Sequence, residues 1–129
     1  MFEQLDFVYT PSTDVAADME RFVSMLGASI EFAIERFGTR VAMVRLAAGP
    51  PHVLLSEHLG GERPVLVYRV ASLAEAAEEL RRRGLEPGPE LGIPHGPIHS
   101  FTLDGGHRIA IYELTRPERA ASLEGRRDF

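Results

Sequence analysis

The alternation of apolar and polar positions divides the chain into short segments of changing period. "LDFVYTP" (5–11) is a β-branched and aromatic run stopped by proline, the pattern of a strand. In "STDVAADMERFVSMLG" (12–27) the apolar Val15, Met19, Phe22 and Leu26 recur at steps of four, three and four, one face of a helix. Ser12, Thr13 or Asp14 can cap its start, and Gly27 suits its stop. "SIEFAIERF" (29–37) and "TRVAMVRLA" (39–47) alternate again across an "FGT" turn. "HVLLSEH" (52–58) adds a strand after Gly49-Pro50-Pro51, so the first half reads βαβββ.

The second half repeats that order. "PVLVYRV" (64–70) is a strand, and "SLAEAAEELRRRG" (72–84) is a helix opened by a Ser72-x-x-Glu75 capping box and closed by Gly84. Leu73, Ala76, Ala77 and Leu80 form its buried stripe. A Pro/Gly-rich stretch (87–97) has room for one short strand at most, and "IHSFTL" (98–103) and "HRIAIYEL" (107–114) make a hairpin. The expected architecture is α+β: two βαβββ modules in tandem, about 5–58 and 64–114, in a single domain spanning 1–129. A polar tail, 115–129, reads as a loose helix.

The hairpin register decides which side chains meet. With Gly105-Gly106 as a two-residue turn, Asp104 faces His107, Leu103 faces Arg108, Phe101 faces Ala110 and His99 faces Tyr112. His99, Phe101, Leu103, Arg108, Ala110 and Tyr112 then share one face, with Ile109, Ile111 and Glu113 on the other.

Composition removes whole classes of chemistry. The chain has no Cys, which excludes disulfides, thiolate catalysis and sulfur-ligated metals. All 14 basic residues are Arg, so Schiff-base lysines and the P-loop lysine are absent; a codon bias toward Arg explains this best. Without Asn there is no N-glycosylation. A net charge of −5 offers no long basic face for phosphates, which argues against nucleic acid; "RRR" (81–83) is the solvated end of a helix. No apolar run reaches bilayer length and no basic-then-apolar leader opens the chain, so a cytoplasmic protein without membrane contact is expected.

The doubled βαβββ order, with "DVAADMERFVSMLGA" and "FTLDGGHRIAIYE" at the right separation, resembles the vicinal oxygen chelate superfamily of glyoxalases, extradiol dioxygenases and bleomycin-resistance proteins. The resemblance covers roughly residues 5–114 and implies curved mixed sheets around a concave cleft. It also implies metal ligands early on the first strand and on the last strand of each module. Here those positions fall on Phe7, Val65 and Ala110, none of which binds a divalent metal through its side chain. The fourth is expected near Glu57.

If Ala110 marks the concave face, that face collects Phe7, Tyr9, Val65, Val67, Arg69, His99, Phe101, Arg108 and Tyr112, with His95 in "PHGP" at the cleft mouth. Such a surface suits a partly aromatic ligand held by stacking and a few charge-assisted hydrogen bonds. The plainer alternative is that these side chains fill space between sheets or form a dimer contact. No catalytic residue is assigned, although His99 is the sharpest candidate base. The leading expectation is a metal-independent small-molecule-binding protein like the bleomycin-resistance branch, without cofactor. The alternative is a lyase, isomerase or dioxygenase with one divalent metal at a rearranged site of Glu57, His99 and either His58 or His95. A third reading is a structural or regulatory dimer with no small ligand. A two-fold homodimer is expected to finish each cleft, because a short linker sets the modules side by side with bare concave faces.

Overall fold

Extended runs and helices fall where the periodicity places them. The computed structural model describes residues 1–88 and 90–129, so Pro89 of the Pro/Gly-rich stretch lies outside the described residues. The first module comprises β1 (Phe2–Pro11), α1 (Val15–Leu26), β2 (Ser29–Arg36), β3 (Thr39–Arg45) and β4 (His52–Ser56). The second comprises β5 (Val65–Val70), α2 (Leu73–Arg82), β6 (Leu91–Ile93), β7 (Gly96–Thr102) and β8 (Arg108–Tyr112). A last helix, α3 (Pro117–Ser122), follows.

Local chemistry sets the helix ends. The Asp14 carboxylate accepts the Ala17 N–H at 3.0 Å, and Gly27 stops α1 in the left-handed region at φ 71°. Ser72 caps α2 through the Glu75 N–H at 3.2 Å. Only the first turns of the α1 stripe are covered: Val15 and Met19 are buried, whereas Leu26 is 60% exposed.

All the strands join one curved, unclosed mixed sheet in the order β2-β3-β4-β1-β5-β8-β7-β6. Within each module the first strand runs parallel to the last, β1 with β4 and β5 with β8. The modules meet edge to edge through antiparallel β1 and β5, Phe7 opposite Val67 and Tyr9 opposite Val65. Alternation sends two layers of side chains in opposite directions. On one face α1 covers Ala33, Ala42, Val44 and Leu55, while α2 covers Val70, Phe101 and Ile111. On the other, Phe7, Phe32, Met43, Val65, Val67, Ile98, Ala110 and Tyr112 form a second apolar layer.

The β7–β8 pairing departs from the expected register by one residue. Ser100, not Phe101, stands opposite Ala110, and Ile98, not His99, stands opposite Tyr112. Leu103 closes on His107, donating its N–H to the His107 carbonyl at 2.9 Å, so the turn holds three residues, Asp104-Gly105-Gly106. Both glycines take positive φ, 94° and 86°, which lets the longer loop close without strain. A shift of one residue turns β7 over. Ala110 and Tyr112 keep the expected face, but Phe101 packs under α2 and His99 points to the same side.

The tail is ordered rather than loose. Leu123, after α3, is 6% exposed and packs into the concave layer. Residues 125–128 then run along β2: Gly125 donates to the Glu31 carbonyl at 2.7 Å, and Ala33 exchanges hydrogen bonds with Arg126 and Asp128. No helix among the described residues is long and apolar enough to cross a membrane.

Candidate functional site: an apolar cleft in the concave face

A cavity of about 400 Å³ opens on the concave face. Phe32, Ile34 and Val41 from β2 and β3, Leu54 from β4, and Phe7 and Tyr9 from β1 give it most of its wall. The second module adds Val67, Ile98 and the Ile93–His95 corner, and Leu123 of the tail seals one side. Both modules therefore contribute within one chain. The sequence leads us to expect a second chain to finish each cleft; here one cavity draws on both modules of a single chain.

Of the residues expected at the site, Phe7, Tyr9, Val67 and His95 line the cavity. Val65 and Tyr112 belong to the apolar layer around it, 5% and 1% exposed. Arg69 lies toward Asp6 and Glu3, with its Nε 3.7 Å from an Asp6 oxygen. Arg108 holds the inter-module linker, donating to the Gly60 carbonyl at 2.7 Å and to the Arg63 carbonyl. His99 and Phe101 are on the helix side by the register shift; His99 Nδ1 sits 3.3 Å from the Gly88 carbonyl and Nε2 3.4 Å from Glu90. Phe32, Ile34, Val41, Leu54, Ile98 and Leu123 line the cleft without having been singled out from sequence. The β2 and β3 alternation could have supplied the first three once the concave face was known.

Two polar groups stand in this apolar setting. At one end Ser56, His58 and Tyr9 close a ring of hydrogen bonds: Ser56 Oγ to His58 Nδ1 at 2.9 Å, His58 Nε2 to the Tyr9 hydroxyl at 2.9 Å, and Tyr9 to Ser56 Oγ at 3.3 Å. Every member finds a partner, whichever way the protons run around the ring. Burial pushes the Tyr9 phenol above its ordinary range, partly offset by the bond to Ser56. At the other end the His95 ring lies 4.9 Å from the Phe7 ring and 6.1 Å from that of Tyr112. Burial depresses the His95 pKa, with the nearby Asp6 charge opposing the shift. Beneath it the Tyr112 hydroxyl donates to buried Asp6. Burial first, then that hydrogen bond, raises the Tyr112 pKa.

The internal repeat locates the fourth position at which the resemblance implies a metal ligand. β1 pairs Tyr9 with Leu54, as β5 pairs Val67 with Ala110, so Leu54 is the first-module equivalent of Ala110. The four positions are thus Phe7, Leu54, Val65 and Ala110, and no side chain among them offers a donor atom. Glu57 is not the fourth position. Its carboxylate accepts the Val15 N–H at 3.1 Å and the Arg40 N–H at 3.2 Å, and it pairs with the Arg40 guanidinium at 2.7 Å. It extends from β4 and His99 stands on β7, four strand spacings apart in the sheet, so the two do not meet. Among the described residues no three His, Asp or Glu side chains gather to hold a metal ion. The residues present do not fit a divalent metal in this cleft.

A mixed α+β sheet of two edge-joined βαβββ modules around a concave cleft is the fold that the sequence resemblance implies. Solved structures that share it include methylmalonyl-CoA epimerase from Mycobacterium tuberculosis, with TM-score 0.75 and 19% identity over 92% of this chain and 93% of that one. A variant methylmalonyl-CoA epimerase of Streptomyces coelicolor in complex with 2-nitronate-propionyl-CoA superposes with TM-score 0.73 and 15% identity, over 89% and 99% of the two chains. A hypothetical protein from Bacillus halodurans C-125 gives TM-score 0.71 and 16% identity, over 85% and 93%. No family model matches the sequence, and no curated protein matches it significantly.

Proposed function

We propose that the chain binds a small, partly aromatic organic molecule in the concave cleft without a divalent metal, as the bleomycin-resistance branch sequesters its ligands. One observation carries this reading. A cavity of about 400 Å³, within the ordinary range for ligand sites, is walled by apolar and aromatic side chains, among them Phe7 and Leu54 at two of the positions where metal donors would stand. Tyr9, His58 and His95 supply the few polar tips that orient a ligand. The net charge of −5 supports a small-molecule partner over nucleic acid. A homodimer belongs to the same proposal, with each cleft complete in its own chain.

The test is a thermal-shift screen of aromatic and acyl compounds on protein stripped with chelator, against a Leu54→Trp variant that fills the floor. A compound at 100 times its Kd stabilises by ~2.7 kcal/mol, and that gain should vanish in the variant. Ligand stabilisation that appears only after a divalent metal is restored would reject the metal-independent reading.

The neighbours favour one second reading, that of an enzyme acting on a CoA ester, since several are epimerases bound to such compounds. On this chain His95 is the residue placed to take a proton, held in the cleft with its neutral form favoured by burial. Solvent deuterium exchange into acyl-CoA esters, lost in His95→Phe, would establish that activity.

A further inference from the structure

Strand register gathers Arg36, Thr39 and His58 at one end of the cleft. Arg36 stands opposite Thr39, and the β3–β4 ladder, continued two residues beyond Val41 opposite Ser56, brings Thr39 level with His58. Arg36, Thr39 and His58 all border the cavity. The rows behind them turn apolar with distance: Ile34 with Val41 and Ser56, then Phe32 with Met43 and Leu54. The trough therefore has a polar rim beside the β2–β3 turn and an aromatic floor.

Arg36 is the member of that rim whose charge is not committed to another side chain. Its neighbours are committed, Arg40 to Glu57 at 2.7 Å and Arg45 to Glu31, whereas Arg36 has no ion pair or side-chain hydrogen bond among the described residues. The charge of Asp128 reaches it, but the Asp128 oxygens are taken by the Glu35 N–H at 2.9 Å and by Arg126 at 3.1 Å. Beside it Phe37, fully exposed at the hairpin tip, also borders the opening. The exposed Arg36 guanidinium is held by water alone, and the uncovered Phe37 ring beside it leaves apolar area in solvent. Both gain a partner from a molecule with an acid group and an apolar body.

We infer that the ligand of this cleft is an amphipathic carboxylate, its acid group on Arg36 and Thr39 and its apolar or aromatic body on Phe32, Leu54 and Val67. The inference rests on the proposed reading of the cleft as a ligand site and names the class of molecule it takes. A carboxylate matches the planar fork of Arg and accepts from Thr39 at the same time. An uncharged ligand leaves Arg36 as it is.

Calorimetric titration with 2-naphthoate and 2-naphthamide, matched in shape and different in charge, tests it on the full chain at physiological ionic strength. The carboxylate should bind about tenfold more tightly than the amide, since a hydrogen bond to a charged group at a partly exposed site is worth of order 1.5 kcal/mol. Arg36→Gln should erase that preference, and Thr39→Val should reduce it with Arg36 untouched. Equal binding of both probes to the unaltered protein would overturn the acid-group assignment and leave the cleft reading standing. Failure of both probes to bind would count against the cleft itself, and this inference would fall with it.

Discussion

Glu57 and Glu113 hold equivalent places in the two modules, each sending its carboxylate to the first N–H of its own module's helix. Glu57 accepts from Val15 at 3.1 Å, and Glu113 accepts from Leu73 at 2.9 Å. Each lies just past the last strand of its module, so one contact joins the strand end to the helix start and satisfies an N–H that the helix cannot. The negative charge also suits the helix dipole.

Glu57 carries more of this load, because it also binds Arg40 through main chain and side chain. Arg40 first, then the Val15 and Arg40 N–H groups, hold its pKa below the ordinary carboxylate range, with burial opposing. A lowered folded-state pKa means that the stability is present above the unfolded value, about 4.3, and is lost as pH falls through the folded value. Glu57→Gln should cost about 1–3 kcal/mol in urea unfolding at neutral pH. The difference from the unaltered protein should begin to shrink below about pH 4.3, as the unfolded chain takes up its proton, and close only once pH falls below the lowered folded value. Glu113→Gln, with one such contact, should cost less.

His95 gives the opposite chemical case with the same sign. Burial favours its neutral form, so its folded pKa lies below the ordinary value of about 6.5. Its contribution is present above that value and fades as pH falls through the folded pKa. NMR titration should place His95 as the more acidic imidazole when compared with a free histidine. His95→Phe, which keeps the ring between Phe7 and Tyr112, should flatten stability across that window. An unchanged pH profile in the variant would show that His95 is not the group responsible.

Gly96 fixes where His95 sits. It adopts φ 154°, and a β-carbon there would lie 2.0 Å from the Glu113 carbonyl oxygen. Backbone against backbone cannot yield cheaply, so Gly96→Ala should destabilise by about 2–4 kcal/mol. It should also weaken ligand binding by moving His95. Retention of full stability in thermal unfolding would argue against this packing.

The module order and both helix caps were legible in the sequence because each rests on local signals, such as Ser72-x-x-Glu75 or Gly27 after an apolar stripe. The face of β8 was legible too, since alternation alone places Ala110 opposite to Ile109 and Ile111. Phe101 and His99 were misplaced because a two-residue and a three-residue turn both fit "LDGGHR", and the choice inverts every side chain of β7. The Phe101 ring settles the matter by filling the space under α2 with Val70 and Ile111. Pairings across distant strands are not local. That is why Leu54 became identifiable as the counterpart of Ala110 only when β1–β4 and β5–β8 could be superposed.

Leu123 should matter more than its place in a polar tail implies. It is buried against the concave layer, and Leu123→Ala should cost about 2–4 kcal/mol and loosen one wall of the cleft. Removal of residues 124–129 should uncover the β2 edge at Ala33, whose N–H and carbonyl pair with Arg126 and Asp128. Exposed edges recruit other strands, so the shortened chain should form larger aggregates in light scattering.

The expected homodimer has a surface that can be named. The last turn of α1 leaves Met25 78% and Leu26 60% exposed, beside a half-covered Val23. Apolar area left in water costs about 25 cal/mol per Å², which favours covering this helix end with a second copy. The β2 edge is not available for the purpose, because the tail already pairs with it. Light scattering at micromolar concentration should therefore report twice the 14.3 kDa chain mass. Met25→Glu with Leu26→Arg should return the monomer with its thermal unfolding and ligand binding intact, since neither side chain lines the cleft. A stable monomer of the unaltered chain would rule the dimer out, and a variant that stays dimeric would move the interface elsewhere.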